Sequence, residues 1–427
     1  MGSMGDKVRI KHASYEYEGT LIDSPDEKIY LLKLHNGYNV GIPKANSKIV
    51  VTGKMPKKKL SELNIKSDSS LPNISLISTG GTITSRVDYR TGAVHPITKP
   101  AELLSQIPEL RKIANFTVIS PISKFSEELN IDDWAKIAGA VGKELNKENV
   151  RGAIVTHGTD TLHYTSAALT FALEDLGKPV AVVGGQRSSD RGSFDGAMNL
   201  ICSAHYVNSD IAEVAIVMHG TSSDDYCIAN PGTKTKKMHK TARNTFRPIN
   251  SMPFTKIFKD GRFEKLRGHK LRHAGKVNIN SNFEKKVALI KYHPGLSSKV
   301  LDFYVKEGYR GVIIEGTGLG HLPVNETDKE TKENSKILKA IKSLSKSIPV
   351  FMTTQTTFGR VNLNVYSSGR KLKELEINGD YNDMLSETAF IKMSWLLSNY
   401  PKSKVNELMN QNLRGEISKR SSKKKFL

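Results

Sequence analysis

The spacing of apolar residues changes character twice along this 427-residue chain. Through residue 51 it gives short runs at 8–10, 17–22, 29–34 and 38–42, each of strand length and bounded by turn formers. Asn36-Gly37, between the last two runs, suits the positive φ angles of a tight two-residue hairpin. Residues 4–53 are therefore expected to form a small β-barrel-like N-terminal domain. Residues 54–70 are polar and rich in Lys and Ser, with too few apolar side chains for a core, and read as a linker.

From residue 71 onward, strand-length apolar runs alternate with stretches of helical period. Runs at 74–77, 153–155, 180–183 and 214–218 are separated by helical stretches. One of these places Trp134, Ile137, Ala138 and Val141 on a single face, and others cover 167–173 and 197–205. A second series opens at 287, with strands at 287–290, 312–314 and 350–352 and helices around 300–305 and 337–341. This alternation predicts a two-domain α/β body of mainly parallel sheets covered by helices. The first domain is expected over 71–284 and the second over 285–400, closed by a helix at 388–397. The basic, weakly periodic stretch 254–283 suits a connection between them. Residues 401–427 read as a basic C-terminal tail, increasingly solvated after Pro401 and mobile from Arg414 onward.

Composition narrows the function classes. With 38% apolar residues the chain is ordinary for a globular protein, and no run approaches the ~18 to 20 residues of a membrane span. No basic-then-apolar leader opens the sequence, so the expected location is cytoplasmic. The two cysteines, Cys202 and Cys227, allow at most one disulfide and no four-thiolate zinc site. Sixty-four Lys and Arg against forty-three Asp and Glu give a formal charge of +21, partly clustered at 57–59, at 234–240 and in the last nine residues. That charge has two readings, a solvated surface or a footprint for a polyanion.

The candidate chemistry lies where two predicted strands end. In open α/β sheets ligands bind outside the carboxyl ends of strands. Two glycine-containing turns occupy such places, Thr79-Gly80-Gly81-Thr82 and His157-Gly158-Thr159-Asp160-Thr161. Glycine allows a sharp bend and a close approach of backbone to substrate, where N–H groups can stabilise an oxyanion. Each turn also carries threonine hydroxyls, which are poor nucleophiles without a group to remove the proton. These threonines are internal, so a free α-amino group cannot serve. A lysine oriented by a carboxylate can, and Asp160 is supplied by the second turn itself. By composition alone, Lys237 is one of several lysines in its segment.

The two turns, in this order, with Leu71-Pro72-Asn73-Ile74 leading into the first, resemble the L-asparaginase and glutaminase-asparaginase family over roughly residues 71–400. The resemblance implies Thr82 as first nucleophile, assisted by the loop tyrosine Tyr89. It implies a second set of Thr159, Asp160 and Lys237, with Lys237 placed by its nine-residue spacing to Phe246. Gly81, Gly158, Ser126 and Glu127 match substrate-binding positions, Glu127 standing where a glutamine is common in the bacterial enzymes. The segments Gly185-Gln186-Arg187-Ser188-Ser189-Asp190-Arg191 and Phe246-Arg247-Pro248-Ile249-Asn250, the 315–321 turn and the N-terminal module look like the D-subunit branch of archaeal glutamyl-tRNA(Gln) amidotransferases. That branch implies a homodimer flanked by E-type kinase/transamidase subunits. The D subunit releases ammonia from glutamine or asparagine, and E converts Glu-tRNA(Gln) to Gln-tRNA(Gln). ATP and Mg would belong to E, which also holds most of the tRNA, leaving no cofactor or metal on this chain.

Two other readings fit parts of the pattern. A stand-alone cytosolic L-asparaginase uses the same threonines but lacks the N-terminal module. A nucleic-acid-binding scaffold would explain the charge and leave both turns unexplained. Neither cysteine lies in a nucleophile-elbow pattern, and Ser188-Ser189 lacks the Gly/Ser tract of a Ser-Ser-Lys amidase. His157, His219, His239 and His321 have no metal-ligand spacing.

Overall fold

A computed structural model describes residues 2–3, 5–24, 26–35, 38–54, 68–81, 107–188 and 194–421, with the backbone of the short strands Ser85–Val87 and Val94–Pro96. The Asn36-Gly37 tip, the lysines at 57–59, Thr82, Tyr89, Ser189 to Arg191 and the final lysines at 423–425 lie outside the described residues.

The N-terminal runs form a five-stranded antiparallel sheet ordered Asn39–Pro43, Ile29–Leu34, Tyr15–Ile22, Asp6–His12, Ser47–Lys54. Alternation along Asp6–His12 buries Val8 and Ile10 against Leu21, Leu32 and Ile42.

The main sheet has eight strands. Asn115–Ile119, Asn73–Ser78, Val150–Thr156, Val180–Val183 and Val214–His219 lie parallel in that order. Cys227–Pro231, Thr255–Ile257 and Phe263–Lys265 continue it antiparallel. Val180–Val183 is buried at every position, as a strand covered on both faces must be. The helices Ile131–Leu145, Leu162–Ala172 and Gly196–Asn208 supply the cover. Asn130 starts the first by accepting the Asp132 and Asp133 N–H groups, while Asp133 reaches back to the Asn130 N–H. A second, three-stranded parallel sheet of Val287–Lys291, Gly311–Gly316 and Val350–Thr354 packs with Ser298–Lys306 and Lys332–Ser347. The helix Ser386–Asn399 touches both bodies, stacking Trp395 on Phe171 at 5.6 Å.

Two expectations need correction. The stretch expected only to connect the domains instead contributes the last two strands of the main sheet, Thr255–Ile257 and, at the edge, Phe263–Lys265. Three residues are too few to show a period. The segment after Pro401 is not simply solvated either. Lys402–Asn410 is a helix burying Val405 and Met409, a spacing of four that puts both on one face. Beyond it, Glu416 is fully buried against Lys392 and Ser418 is bonded to Asp383, so the chain from Arg414 to Ser421 lies packed on the body.

Candidate active site

Sheet register brings the two glycine turns together. Ser78 pairs with Thr156 in neighbouring parallel strands, so both turns leave the sheet at one level. Thr79 N–H donates to Thr156 O at 3.1 Å and His157 N–H to Val183 O at 2.9 Å, carrying the ladder one residue further. Gly81 has φ +84°, and a Cβ there would stand 2.3 Å from Gly158 N. A Cβ on Gly158 would stand 2.7 Å from Ser126 Oγ. The three backbones are therefore in contact, and no larger residue fits between them. Gly81→Ala is expected to displace the second turn and to cost any reaction carried out at this site at least ~100-fold in rate.

Among the hydroxyls in the two turns, the partners separate structural groups from available ones. Thr79 Oγ1 donates to Thr156 O at 2.9 Å and Thr161 Oγ1 to Ser126 O at 2.6 Å, so both brace backbone. Thr159 differs. Its buried hydroxyl accepts from Lys237 Nζ at 2.9 Å, and the same Nζ donates to Asp160 Oδ1 at 2.6 Å. The Lys237 side chain is 13% exposed and that of Asp160 63%, so the lysine spans from a buried hydroxyl to a carboxylate facing solvent. Lys237 ends the short strand Thr235–Lys237, directly opposite Phe246 in an antiparallel hairpin.

Ser126 lies beside this group. Asp160 N–H donates to Ser126 Oγ at 3.2 Å, and Glu127 Oε2 is 3.5 Å from that oxygen. Lys124, two residues earlier, donates its N–H to Thr79 O and pairs its ammonium with the capping carboxylate of Asp133 at 2.7 Å. The segment holding Ser126 is thus tied to both the first turn and a helix start. The structure brings Thr159, Asp160, Lys237, Gly81, Gly158, Ser126 and Glu127 into one place. Thr82 and Tyr89 lie outside the described residues.

His157 does not act as a base here. Its Nδ1–H donates to Gly158 O at 2.6 Å and its Nε2 accepts from Thr165 Oγ1 at 2.8 Å, while burial pushes its pKa down to about 4. It is a neutral brace for the turn. Sequence reasoning missed three supports: Lys124, the Asp195 carboxylate that accepts the Gln186 and Arg187 N–H groups, and Asn199, which donates to Gly184 O. Nothing in their local sequence marks them. Within the basic run at 234–240, Lys234, Lys236 and Lys237 pair with Asp383, Glu387 and Asp160 and so are not free for a polyanion. Among the described residues, no group of three or more His, Cys, Asp or Glu is placed to hold a metal ion. No described helix is long and apolar enough to cross a membrane.

Comparison with known proteins places this chain in a family. Residues 73–268 match the asparaginase N-terminal family, 286–409 the glutaminase/asparaginase C-terminal domain, and 3–52 the GatD N-terminal domain. The fold resembles the thermostable L-asparaginase of Thermococcus kodakarensis, with a TM-score of 0.72 at 24% identity, covering 82% of this chain and all of that one. L-asparaginase I of Vibrio cholerae gives 0.68 at 26% identity over 82% of this chain and 99% of that one. Over nearly the full length, the chain is 43% identical to the D subunit of glutamyl-tRNA(Gln) amidotransferase from Pyrococcus horikoshii, covering 97% of this chain and 95% of that one. Against the corresponding protein of Methanococcus maripaludis it is 41% identical, covering 97% and 98%. With an asparaginase body, the extra N-terminal module and this identity, the chain belongs to the family of glutamyl-tRNA(Gln) amidotransferase D subunits, which carry amidohydrolase-type activity.

Proposed function

We propose that this chain is the glutaminase of a tRNA-dependent amidotransferase, releasing ammonia from glutamine through threonine nucleophiles and handing it to a partner subunit. The observation that carries the reading is Lys237 Nζ, at 2.9 Å from Thr159 Oγ1 and 2.6 Å from Asp160 Oδ1. Lys237 relays the hydroxyl proton of Thr159, and the Asp160 carboxylate orients its nitrogen for that transfer. A threonine oxygen attacks the side-chain amide carbon, the relayed proton passes to the departing nitrogen so that it leaves as ammonia, and water cleaves the resulting ester. Thr82, assisted by Tyr89, and Thr159 serve as the two nucleophilic threonines. Gly81, Gly158, Ser126 and Glu127 hold the amino-acid end of the substrate. In this reading a homodimer of the chain assembles in the cytoplasm with E-type subunits. Those subunits bind ATP and Mg, hold most of the Glu-tRNA(Gln), and use the ammonia to make Gln-tRNA(Gln).

The test separates the nitrogen donors. In a complex reconstituted with an E-type subunit, Thr159→Ala is expected to abolish Gln-tRNA(Gln) formation from glutamine while leaving formation from ammonium chloride intact. Ammonia release unaffected by partner and Glu-tRNA(Gln), with asparagine as the better substrate, would instead support a stand-alone asparaginase.

A further inference from the structure

The lysine hairpin carries two cations that this chemistry does not use. A strand sends alternate side chains to opposite faces. Lys237 faces the catalytic turn and Lys236, its neighbour in the strand, faces the other way, toward the C-terminal body, where Lys234, just before the strand, also finds its partner. There Lys236 Nζ lies 2.7 Å from Glu387 Oε1. Lys234 Nζ lies 2.7 Å from Asp383 Oδ1 and donates to Asp383 O at 3.0 Å, with the two side chains 1% and 0% exposed. Asp383 and Glu387 flank the start of the Ser386–Asn399 helix, and Thr388 Oγ1 in that helix donates to Thr233 O at 2.9 Å.

The same carboxylate gathers two more segments. Asp383 Oδ1 accepts the Ser418 N–H at 2.8 Å, and Ser418 Oγ donates to Asn250 O at 3.1 Å. Asn250 follows the hairpin's second strand, where Ile249 N–H donates to Lys234 O at 2.7 Å. Its φ of +53° is left-handed, a conformation Asn tolerates better than most residues. Its amide nitrogen donates to Gly359 O at 3.0 Å and its amide oxygen accepts the Gly359 N–H at 2.9 Å. Both strands of the hairpin are thus anchored at one buried polar knot, closed from outside by the C-terminal segment. Arg360 holds that segment in turn, donating to Ser418 O at 3.1 Å and Ser421 Oγ at 2.9 Å.

A buried ion pair is a poor device for stability alone, because desolvation of the two charges offsets most of their attraction and apolar residues of similar size serve as well. What it does supply is a fixed geometry. Three residues along the hairpin is Lys237, whose ammonium must meet two oxygens at once. We propose that Lys234, locked by Asp383 and by the C-terminal segment at Ser418, is a positioning residue for Lys237. The proposal rests on reading Lys237 as the proton relay.

The test uses the full-length chain in the assembly that supports ammonia release. Asp383→Asn is expected to lower kcat about 10- to 100-fold, the loss that a misplacement of ~1 Å produces, while KM changes less than about threefold. In a Lys237→Met background the same substitution lowers the residual rate no further, because the group being positioned is already absent. Should Asp383→Asn not fold, Lys234→Met with Asp383→Leu replaces the pair by apolar groups, a change buried pairs tolerate, and the same loss of kcat is expected. A kcat within about twofold of wild type in a folded variant, or a loss that multiplies with Lys237→Met, overturns the positioning role. A wild-type rate for Lys237→Met alone overturns the relay reading and this proposal with it, so that one variant distinguishes the two failures.

Discussion

Lys237→Ala, Thr159→Ala and Thr82→Ala are each expected to lower amide hydrolysis about 100- to 10,000-fold, the range that general-base assistance contributes. The geometry explains the size. Thr159 Oγ1 is buried, and Lys237 Nζ at 2.9 Å is a basic nitrogen within reach of its proton. In the proposed mechanism hydroxyl, lysine and carboxylate act as one unit, so Thr159→Ala combined with Lys237→Ala should be little worse than either alone. The loss will not reflect unfolding. Asp160 is largely in water, and a pair with one exposed partner stabilises a fold by no more than about 1 kcal/mol. Ammonia release together with thermal unfolding checks both statements. If Lys237→Ala keeps more than about a tenth of the rate, proton transfer belongs to another group.

The largest expected effect on stability lies far from the threonines. Lys392 and Glu416 are both 0% exposed and pair at 2.7 Å. Lys392 also donates to Met409 O at 3.1 Å and Gln411 O at 2.5 Å, and Glu416 accepts the Leu413 and Arg414 N–H groups. Removing the carboxylate strands a buried ammonium, so Glu416→Gln should cost about 3–5 kcal/mol of unfolding free energy. The remaining carbonyl partners of Lys392 favour the lower end. Pairing it with Lys392→Met removes the stranded charge and should recover most of the loss. Urea unfolding midpoints at constant slope would show both results. An unchanged midpoint for Glu416→Gln would mean that the C-terminal segment is not docked in solution.

These residues also show where a sequence is readable and where it is not. The runs at 74–77 and 153–155 are continuous because their strands are covered on both faces, and they emerge within Asn73–Ser78 and Val150–Thr156. The glycine turns were legible for the same kind of reason, since two backbones in contact leave no room for a Cβ. The C-terminal segment hid its packing. Val405 and Met409 are an isolated pair rather than a period, and the buried charge is one glutamate in a basic stretch. Lys237 looks like its neighbours in the chain. The family resemblance singles it out by its spacing to Phe246, and the physical distinction comes from the partners, Asp160 for Lys237 and Asp383 and Glu387 for Lys234 and Lys236. Thr79 illustrates the reverse case, because its hydroxyl sits in a catalytic-looking motif and is spent on Thr156 O.

The central claim is that a threonine oxygen, and no thiol, attacks the amide carbon. A glutamine analogue bearing a diazoketone in place of the side-chain amide tests it most directly, with the labelled peptide identified by mass spectrometry after inactivation. One label per chain is expected, on Thr82 or Thr159, and glutamine present during the reaction should prevent it. Label on Cys202 or Cys227, or inactivation with neither threonine modified, would contradict the account.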